Sequence, residues 1–503
     1  MPAVLFANTD KREGRLIAAL TWANPFAPER QELQREFAGG PVPEDILERL
    51  TARCAQLLER ARPRYLGNFD ALAPQERDRY QELVFFHLFH RFAPQFQDFI
   101  EKAWQHGNSL SRVSFYDTFV EEAGHWLPRG LTGPFAGVGW PRLFACFFQV
   151  RRAFAHIRDA FDGESEAVCA LRARVWQSIF TRDMARYQRV LAGRLQDVAT
   201  LITGPSGTGK DLVATAVGLS LYIPFQPNLR QFLKDFLFAC HPVNVSALSS
   251  TLIESELFGH RKGAFTGALQ DRKGYFEVCG EHGTIFLDEI GETGPAIQVK
   301  LLRVLQGRQF VPIGDTTARN FEGKIIAATN RDLAAELAAG RFREDLYFRL
   351  CADRIETPAL ADILAGDPAE LERLVTGMCA RIAGEEGPAL AAEALPILRG
   401  LGSGDAPYAW PGNFRELEQA LRNILVHGAY VPERLPPAGA PASGLHALGA
   451  ASPTARPPTA AELVGQYARR TYEAQGGNIQ RTADILQIDR RTLKKHLEAS
   501  AKG

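Results

Sequence analysis

Residues Gly204-Pro205-Ser206-Gly207-Thr208-Gly209-Lys210 set three glycines and a lysine at the spacing of a phosphate cradle. Glycines allow a tight turn whose backbone N–H groups converge, a following helix N-terminus adds a favourable dipole, and Lys210 supplies positive charge for β- and γ-phosphates. The run follows the apolar stretch Ala199 to Thr203 and leads into a helical pattern from Asp211 to Val217, the strand–loop–helix order that such a cradle needs. Further on, Gly283-Thr-Ile-Phe-Leu-Asp288-Glu289 brings two carboxylates to the end of a short apolar run. At the carboxyl edge of a parallel sheet, Asp288 is suited to hold Mg²⁺ through water and Glu289 to orient and deprotonate an attacking water. Together the two signatures imply hydrolysis of a nucleoside triphosphate. One residue departs from the general pattern: Asp211 follows the lysine where a Ser or Thr hydroxyl ordinarily ligates Mg²⁺.

The elements that must position these residues are legible in outline. From 173 to 435, β-branched runs such as Thr284 to Leu287 and Lys324 to Thr329 alternate with helical stretches such as Ala296 to Gln306, which predicts a parallel sheet with crossover helices. Residues 1–172 show helical periodicity instead, with Phe85, Phe89, Phe92, Phe96 and Phe99 along one face and an interruption expected at Pro94. Residues 436–458 carry too much proline and glycine for regular structure and read as a linker. Beyond it, a helix is expected from Ala460 to Gln475, ending at Gly476-Gly477, then a helix Ile479 to Leu486, a turn, and a helix capped by Asp489; this is helix-turn-helix spacing. Arg490, Arg491, Thr492, Lys494 and Lys495 lie on that last helix, a local basic surface suited to DNA phosphates in a chain of 58 basic and 58 acidic residues. Seven scattered cysteines without a Cys-x-x-Cys pair fit a reducing cytoplasm, and no run is long enough to span a membrane.

Between the two nucleotide signatures lies Gly263-Ala264-Phe265-Thr266-Gly267-Ala268, preceded by Glu-Ser-Glu-Leu-Phe-Gly-His-Arg-Lys. With this hexapeptide in that position the chain resembles the sigma-54-dependent transcription activators, the bacterial enhancer-binding branch of the AAA+ ATPases. The resemblance implies a multidomain protein: a helical regulatory domain (1–172), an α/β AAA+ P-loop core (173–358) with a helical lid (359–435), the linker (436–458), and a Fis-type all-α helix-turn-helix domain (459–503). It implies ATP and Mg²⁺ as cofactors, assembly to a ring, expected to be a hexamer, sigma-54 and RNA polymerase as partners at the hexapeptide, and an upstream DNA site. An acidic residue after the P-loop lysine is common in the family, so Asp211 is a milder departure there. Asn244 resembles the residue that holds the catalytic glutamate away from water, Thr329 and Asn330 fall at the γ-phosphate sensor, Arg343 and Arg349 match the arginines that reach a neighbour's nucleotide, and Arg415 in Trp410-Pro-Gly-Asn-Phe-Arg415 matches the lid arginine.

Two stretches depart from the family. Residues 218–240 are longer and more aromatic than usual and are expected to pack on the N-terminal domain, and after Leu360 the usual Pro-Pro-Leu-Arg-Glu-Arg segment is missing. The N-terminal domain lacks a receiver pattern and is expected to restrain hydrolysis until a small apolar ligand or a protein partner binds. His87 with His90, and Glu121 with His125, have metal-compatible helical spacings, but ordinary helix-face roles are the simpler reading. Two other functions compete with remodelling of sigma-54: a DNA-bound regulator that only binds nucleotide, and a general AAA+ unfoldase, which the helix-turn-helix disfavours.

Overall fold

The computed structural model describes residues 5–6, 8–247, 250–401, 408–432, 464, 467–469, 471–473, 477–486 and 488–499. The linker expected at 436–458, Gly476 and much of the helix expected from 460 to 475 lie outside the described residues. Met1–Tyr430 form one compact unit and Val431–Gly503 a second.

The chain opens with seven helices: α1 (Asn8–Trp22), α2 (Pro28–Ala38), α3 (Ile46–Gly67), α4 (Pro74–His106), α5 (Tyr116–Trp126), α6 (Trp140–Ala160) and α7 (Glu166–Phe180). Helix α4 runs unbroken for 33 residues through Pro94, correcting the expected interruption. A helix-interior proline costs about 3 kcal/mol. Burial of Phe85, Phe92, Phe96 and Phe99 on both sides of it offsets this at about 1.5–3 kcal/mol each. After a short turn of helix α8 (Met184–Arg186), the chain enters a five-stranded parallel sheet of strands β1 (Thr200–Thr203), β4 (Cys240–Asn244), β5 (Thr284–Asp288), β8 (Lys324–Thr329) and β9 (Asp353–Glu356), in the order β4-β5-β8-β1-β9.

Alternate residues of the central strands enter two different cores. Leu201, Ile285, Leu287, Ile325 and Ala327 share one core with helices α10 (Ser250–Phe258), α11 (Tyr275–Val278), α12 (Pro295–Gly307), α13 (Leu333–Ala338) and α14 (Glu344–Leu350) and with Phe310 of the short antiparallel pair β6 (Gln309–Phe310) and β7 (Arg319–Asn320). Ile202, Phe286, Ile326 and Ala328 share the other core with Val213, Ala214 and Val217 of α9 (Lys210–Gly218), and that core continues without a break into the aromatic interior of the first seven helices. The boundary expected at 172 is therefore crossed by a single core. A sheet buried on both faces accounts for strands that read as continuous apolar runs.

Residues 218–240 pack on the N-terminal helices as anticipated. The short antiparallel pair β2 (Phe225–Gln226) and β3 (Gln231–Phe232) stacks Phe232 on Phe148 of α6 at 4.2 Å and sets Phe225 4.6 Å from Tyr116 of α5. Four helices, α15 (Leu360–Gly366), α16 (Glu370–Ala383), α17 (Gly387–Gly400) and α18 (Asn413–His427), occupy the segment expected to be the lid and pack around their own core. The altered lid start touches the N-terminal layer: Ser165 N donates to the buried Glu370 carboxylate at 3.1 Å, and Arg381 pairs with Asp162.

In the second unit, helices Ile479–Leu486 and Arg490–Ala499 pack through Ala483, Leu493, Leu486, Ile488 and Leu497. Asp489 caps the second helix, accepting from Arg491 N at 2.8 Å and Thr492 N at 3.0 Å.

Phe148 is 1% exposed and Phe238 is 64% exposed. Phe148→Ala is expected to destabilise the first unit by about 3–5 kcal/mol, whereas Phe238→Ala changes stability by less than about 0.5 kcal/mol; chemical denaturation followed by tryptophan fluorescence measures both.

Candidate active site

The carboxyl ends of the parallel strands gather the residues expected to act on a triphosphate, because register aligns Thr203 with Thr329 and Asn244 with Asp288. The P-loop leaves β1 through Gly204, whose φ of 149° and close approach to Thr357 leave no room for a Cβ. Thr208 Oγ1 bonds the Pro205 carbonyl at 2.8 Å and Thr357 Oγ1 at 2.7 Å, bracing the turn from within. Lys210 is 7% exposed and its Nζ donates to the Gly204 and Pro205 carbonyls at 3.0 and 2.8 Å. Burial lowers the pKa of this ammonium, and the Glu289 and Asp288 carboxylates oppose that shift. Asp211 is exposed in the first turn of α9, where a carboxylate complements the helix dipole.

The lid is hydrogen-bonded directly to this turn. Phe414 N donates to the Gly207 carbonyl at 3.0 Å, and Asn413 Nδ2 to the Ser206 carbonyl at 2.9 Å. The Asn413 Oδ1 accepts from Leu360 N at 2.9 Å, so one side chain joins the P-loop, the lid start and the lid motif. Asn413 has φ 52°, a left-handed conformation that asparagine tolerates better than most residues. Arg415 reaches Ser206 Oγ at 3.4 Å. Asn413 and Thr357 were not singled out from the sequence, although Asn413 stands two residues before Arg415 in the motif that was. Beside Thr208 and Gly209 lies a small cavity of about 70 Å³ with apolar walls from Phe161, Leu171, Leu212 and Phe414.

Asp288 Oδ1 accepts from Glu289 N at 3.0 Å, and Glu289 has φ 56°. Its carboxylate accepts from Asn330 N at 3.4 Å, which brings the expected sensor to the expected base. Thr329 is fully buried and its hydroxyl accepts from Arg331 N at 3.1 Å. Asn244 is not drawn to Glu289: its Oδ1 accepts from Ser246 N, Ser246 Oγ and Ala247 N, closing a turn after β4. Arg343 pairs with Asp345 at 2.7 Å and Arg349 is exposed; neither makes a hydrogen bond or ion pair to the P-loop or the acid pair among the described residues.

The hexapeptide forms a tight loop after α10, closed by Gly263 N to Ala268 O at 2.9 Å and Ala268 N to Phe265 O at 3.0 Å. Phe265 is half-buried with its ring 4.9 Å from His260, and Thr266 is exposed. Arg261 anchors the base of the loop through Asp271 and Asp315 at 2.6 and 2.8 Å.

Residues 181–356 match the model of the sigma-54 interaction domain, an AAA+ ATPase domain. The transcriptional regulatory protein ZraR of Klebsiella oxytoca is 37% identical over 347 residues, covering 68% of this chain and 72% of ZraR. The chain belongs to the sigma-54-dependent transcription activators. The hydrogenase transcriptional regulatory protein HoxA of Bradyrhizobium diazoefficiens is 40% identical over 307 residues, 60% of this chain and 59% of HoxA, so the chain spans about three fifths of that regulator's length. The Nif-specific regulatory protein of Azotobacter vinelandii is 44% identical over 228 residues, 45% of this chain and 39% of that protein.

For this sigma-54-dependent activator, the described residues hold no cluster of three or more metal-ligating side chains. His87 instead meets Glu122 at 3.2 Å. No helix among the described residues is long and apolar enough to cross a membrane. Gly207 has φ 75°, and a Cβ there would overlap the Gly412 carbonyl. Gly207→Ala is therefore expected to push the lid off the P-loop and weaken binding of a fluorescent ATP analogue by at least about tenfold, or ~1.4 kcal/mol; equilibrium titration by fluorescence anisotropy measures it.

Proposed function

We propose that the chain is an ATP-dependent transcriptional activator that assembles into a ring, a hexamer, binds upstream DNA and remodels closed complexes of sigma-54 RNA polymerase. One observation carries this reading: the hexapeptide loop follows α10, the helix that leaves β4, and β4 lies in register beside the strand bearing Asp288 and Glu289. A change at the phosphate end of the sheet therefore has a short path to the loop.

In this reading the backbone of Gly204 to Gly209 binds the phosphates, Lys210 exchanges its P-loop carbonyls for β- and γ-oxygens, and the apolar walls at Phe161, Leu171 and Phe414 hold the base. Glu289 orients water and takes its proton, a role that suits a carboxylate already held by Asn330 N. Mg²⁺ would neutralise phosphate charge; Asp288, with one oxygen turned to Glu289 N and the other free to accept from a metal-bound water, fits it, and the exposed Asp211 is a second acidic neighbour. Arg343 and Arg349, exposed and without a bond to their own P-loop among the described residues, serve the neighbouring subunit, where a guanidinium offsets charge on the transferring phosphoryl group. Phe265 and Thr266 engage sigma-54. Arg490, Arg491, Lys494 and Lys495, all exposed, contact DNA phosphates, with Thr492 on the same helix. The first 172 residues regulate the motor, and the setting is the bacterial cytoplasm.

Glu289→Gln is expected to retain ATP binding and lose turnover, whereas Lys210→Ala loses both; radiolabelled phosphate release and nucleotide titration separate the two, and wild-type hydrolysis by Glu289→Gln would remove the assigned base. Thr266→Ala is expected to keep its ATPase activity and abolish open-complex formation at a sigma-54 promoter, as read by permanganate footprinting. An unaltered transcript yield from that variant contradicts the role of the loop and favours the reading as a nucleotide-binding regulator that does not remodel sigma-54.

A further inference from the structure

A cavity of about 770 Å³ lies among the N-terminal helices, and none of its lining residues belongs to the P-loop. Aromatic side chains are prominent in its walls: Trp22, Phe85, Phe89, Phe147, Phe154 and Trp176 all line it. Volume and lining fall in the range of sites that enclose small organic molecules. Aromatic lining alone would equally suit a dry packing defect. The polar groups on the same walls decide against that.

Arg30 of α2 and Arg151 of α6 line the cavity from two different helices, and neither has a carboxylate within salt-bridge distance among the described residues. Arg30 donates to the Leu20 carbonyl at 3.3 Å, and Arg151 to the Gln97 amide oxygen at 3.0 Å. His90 of α4 lies on the same wall against the Phe86 ring at 4.3 Å. Burial first, and then the charges of Arg30 and Arg151, push its pKa down to about 3. Gln188, 5% exposed, also lines the cavity and its Oε1 has no hydrogen-bond partner among the described residues. Three exposed carboxylates also line the cavity: Asp98 pairs with Lys102 at 2.7 Å, Glu101 accepts from Gln97 at 2.7 Å and favours the charge of Arg151 without an ion pair to it, and Glu48 stands on α3.

Half-buried guanidiniums that lack a carboxylate call for an anion, and the surrounding rings call for a flat apolar body. We propose that this cavity is a binding site for an aromatic carboxylate, with the ring system among Phe89, Phe154 and Trp176 and the carboxylate between Arg30 and Arg151. The inference rests on the reading of residues 1–172 as a sensor. The cavity is also connected to the ATPase core. Trp176 lies on α7, whose Arg174 and Ser178 bond Asp353 of β9, and Asp353 in turn accepts from Thr200 of β1 at 3.0 Å. An occupant that moved α7 would thus act on the two strands flanking the P-loop.

The test is isothermal titration calorimetry of the full chain with benzoate, 2-naphthoate and indole-3-acetate, each set against its neutral primary alcohol. At least one carboxylate is expected to bind, and its alcohol at least about tenfold more weakly, the factor that corresponds to ~1.4 kcal/mol for the charge-assisted bonds. Arg30→Gln and Arg151→Gln should each weaken the carboxylate by at least about tenfold and leave the alcohol within about twofold. Because either change could disturb helix packing, Leu47→Glu provides a second arm: Leu47 lines the cavity and is 44% exposed, so a carboxylate there leaves the fold intact and repels the anion. Absence of binding by all three carboxylates at millimolar concentration overturns the proposal, as does equal binding of acid and alcohol, or indifference to all three substitutions. Binding is read without reference to hydrolysis, so its failure is separate from a failure of the regulatory reading.

Discussion

The P-loop turn at Gly207 is held in shape by the lid. Its carbonyl accepts from Phe414 N, the neighbouring Ser206 carbonyl accepts from Asn413, and the same Asn413 fixes Leu360 at the start of the lid. There is no space for a Cβ between Gly207 and Gly412. Backbone contact at such range makes the phosphate cradle and the lid a single object: a lid rotation must change the cradle, and a cradle that closes on phosphate must draw the lid. That coupling is the physical basis for proposing a motor in place of a passive nucleotide site.

The N-terminal layer is built onto the same object. One core runs from the aromatic helices through α9 to the sheet, and the lid start is tied to the layer by Glu370 with Ser165 and Arg381 with Asp162. The seam between α6 and residues 218–240 contains the fully buried Arg152, whose guanidinium lies 5.1 Å from the rings of both Phe148 and Phe236 and donates to the Leu221 carbonyl. Burial lowers its pKa to about 9, and its Nε and second terminal nitrogen have no hydrogen-bond partner among the described residues. A guanidinium buried without a carboxylate costs stability that an apolar side chain would not. That cost partly offsets the aromatic packing of the seam.

Chemistry carried by contiguous residues was legible in the sequence. The P-loop, the acid pair at Asp288 and Glu289, the hexapeptide and the Asp489 cap are each read within a few positions, because turn geometry and charge placement are local. Relations between distant segments were not. Thr357 meets Thr208 across 149 positions and Asn413 meets Ser206 across 207, and no local pattern announces either contact. The continuity of α4 through Pro94 likewise depends on tertiary burial that outweighs a local breaker. The sequence also suggested a boundary at 172, where helical periodicity gives way to strands; composition reports element type, and a core shared across that change leaves no mark on it. Asn244 shows the reverse limit, since its position beside Asp288 matches the resemblance while its side chain closes a turn of its own.

Among the described residues neither Arg343 nor Arg349 makes a hydrogen bond or ion pair to the P-loop of its own chain, and the proposed mechanism draws these guanidiniums from a second subunit. Mixing Arg343→Ala chains with Glu289→Gln chains tests this directly through steady-state ATP hydrolysis. Each variant alone is expected to be inactive, and the mixture to recover hydrolysis, because an intact Glu289 in one subunit can then receive an intact Arg343 from its neighbour. Hydrolysis by Arg343→Ala alone at the wild-type rate, or a mixture no more active than its parts, contradicts the account.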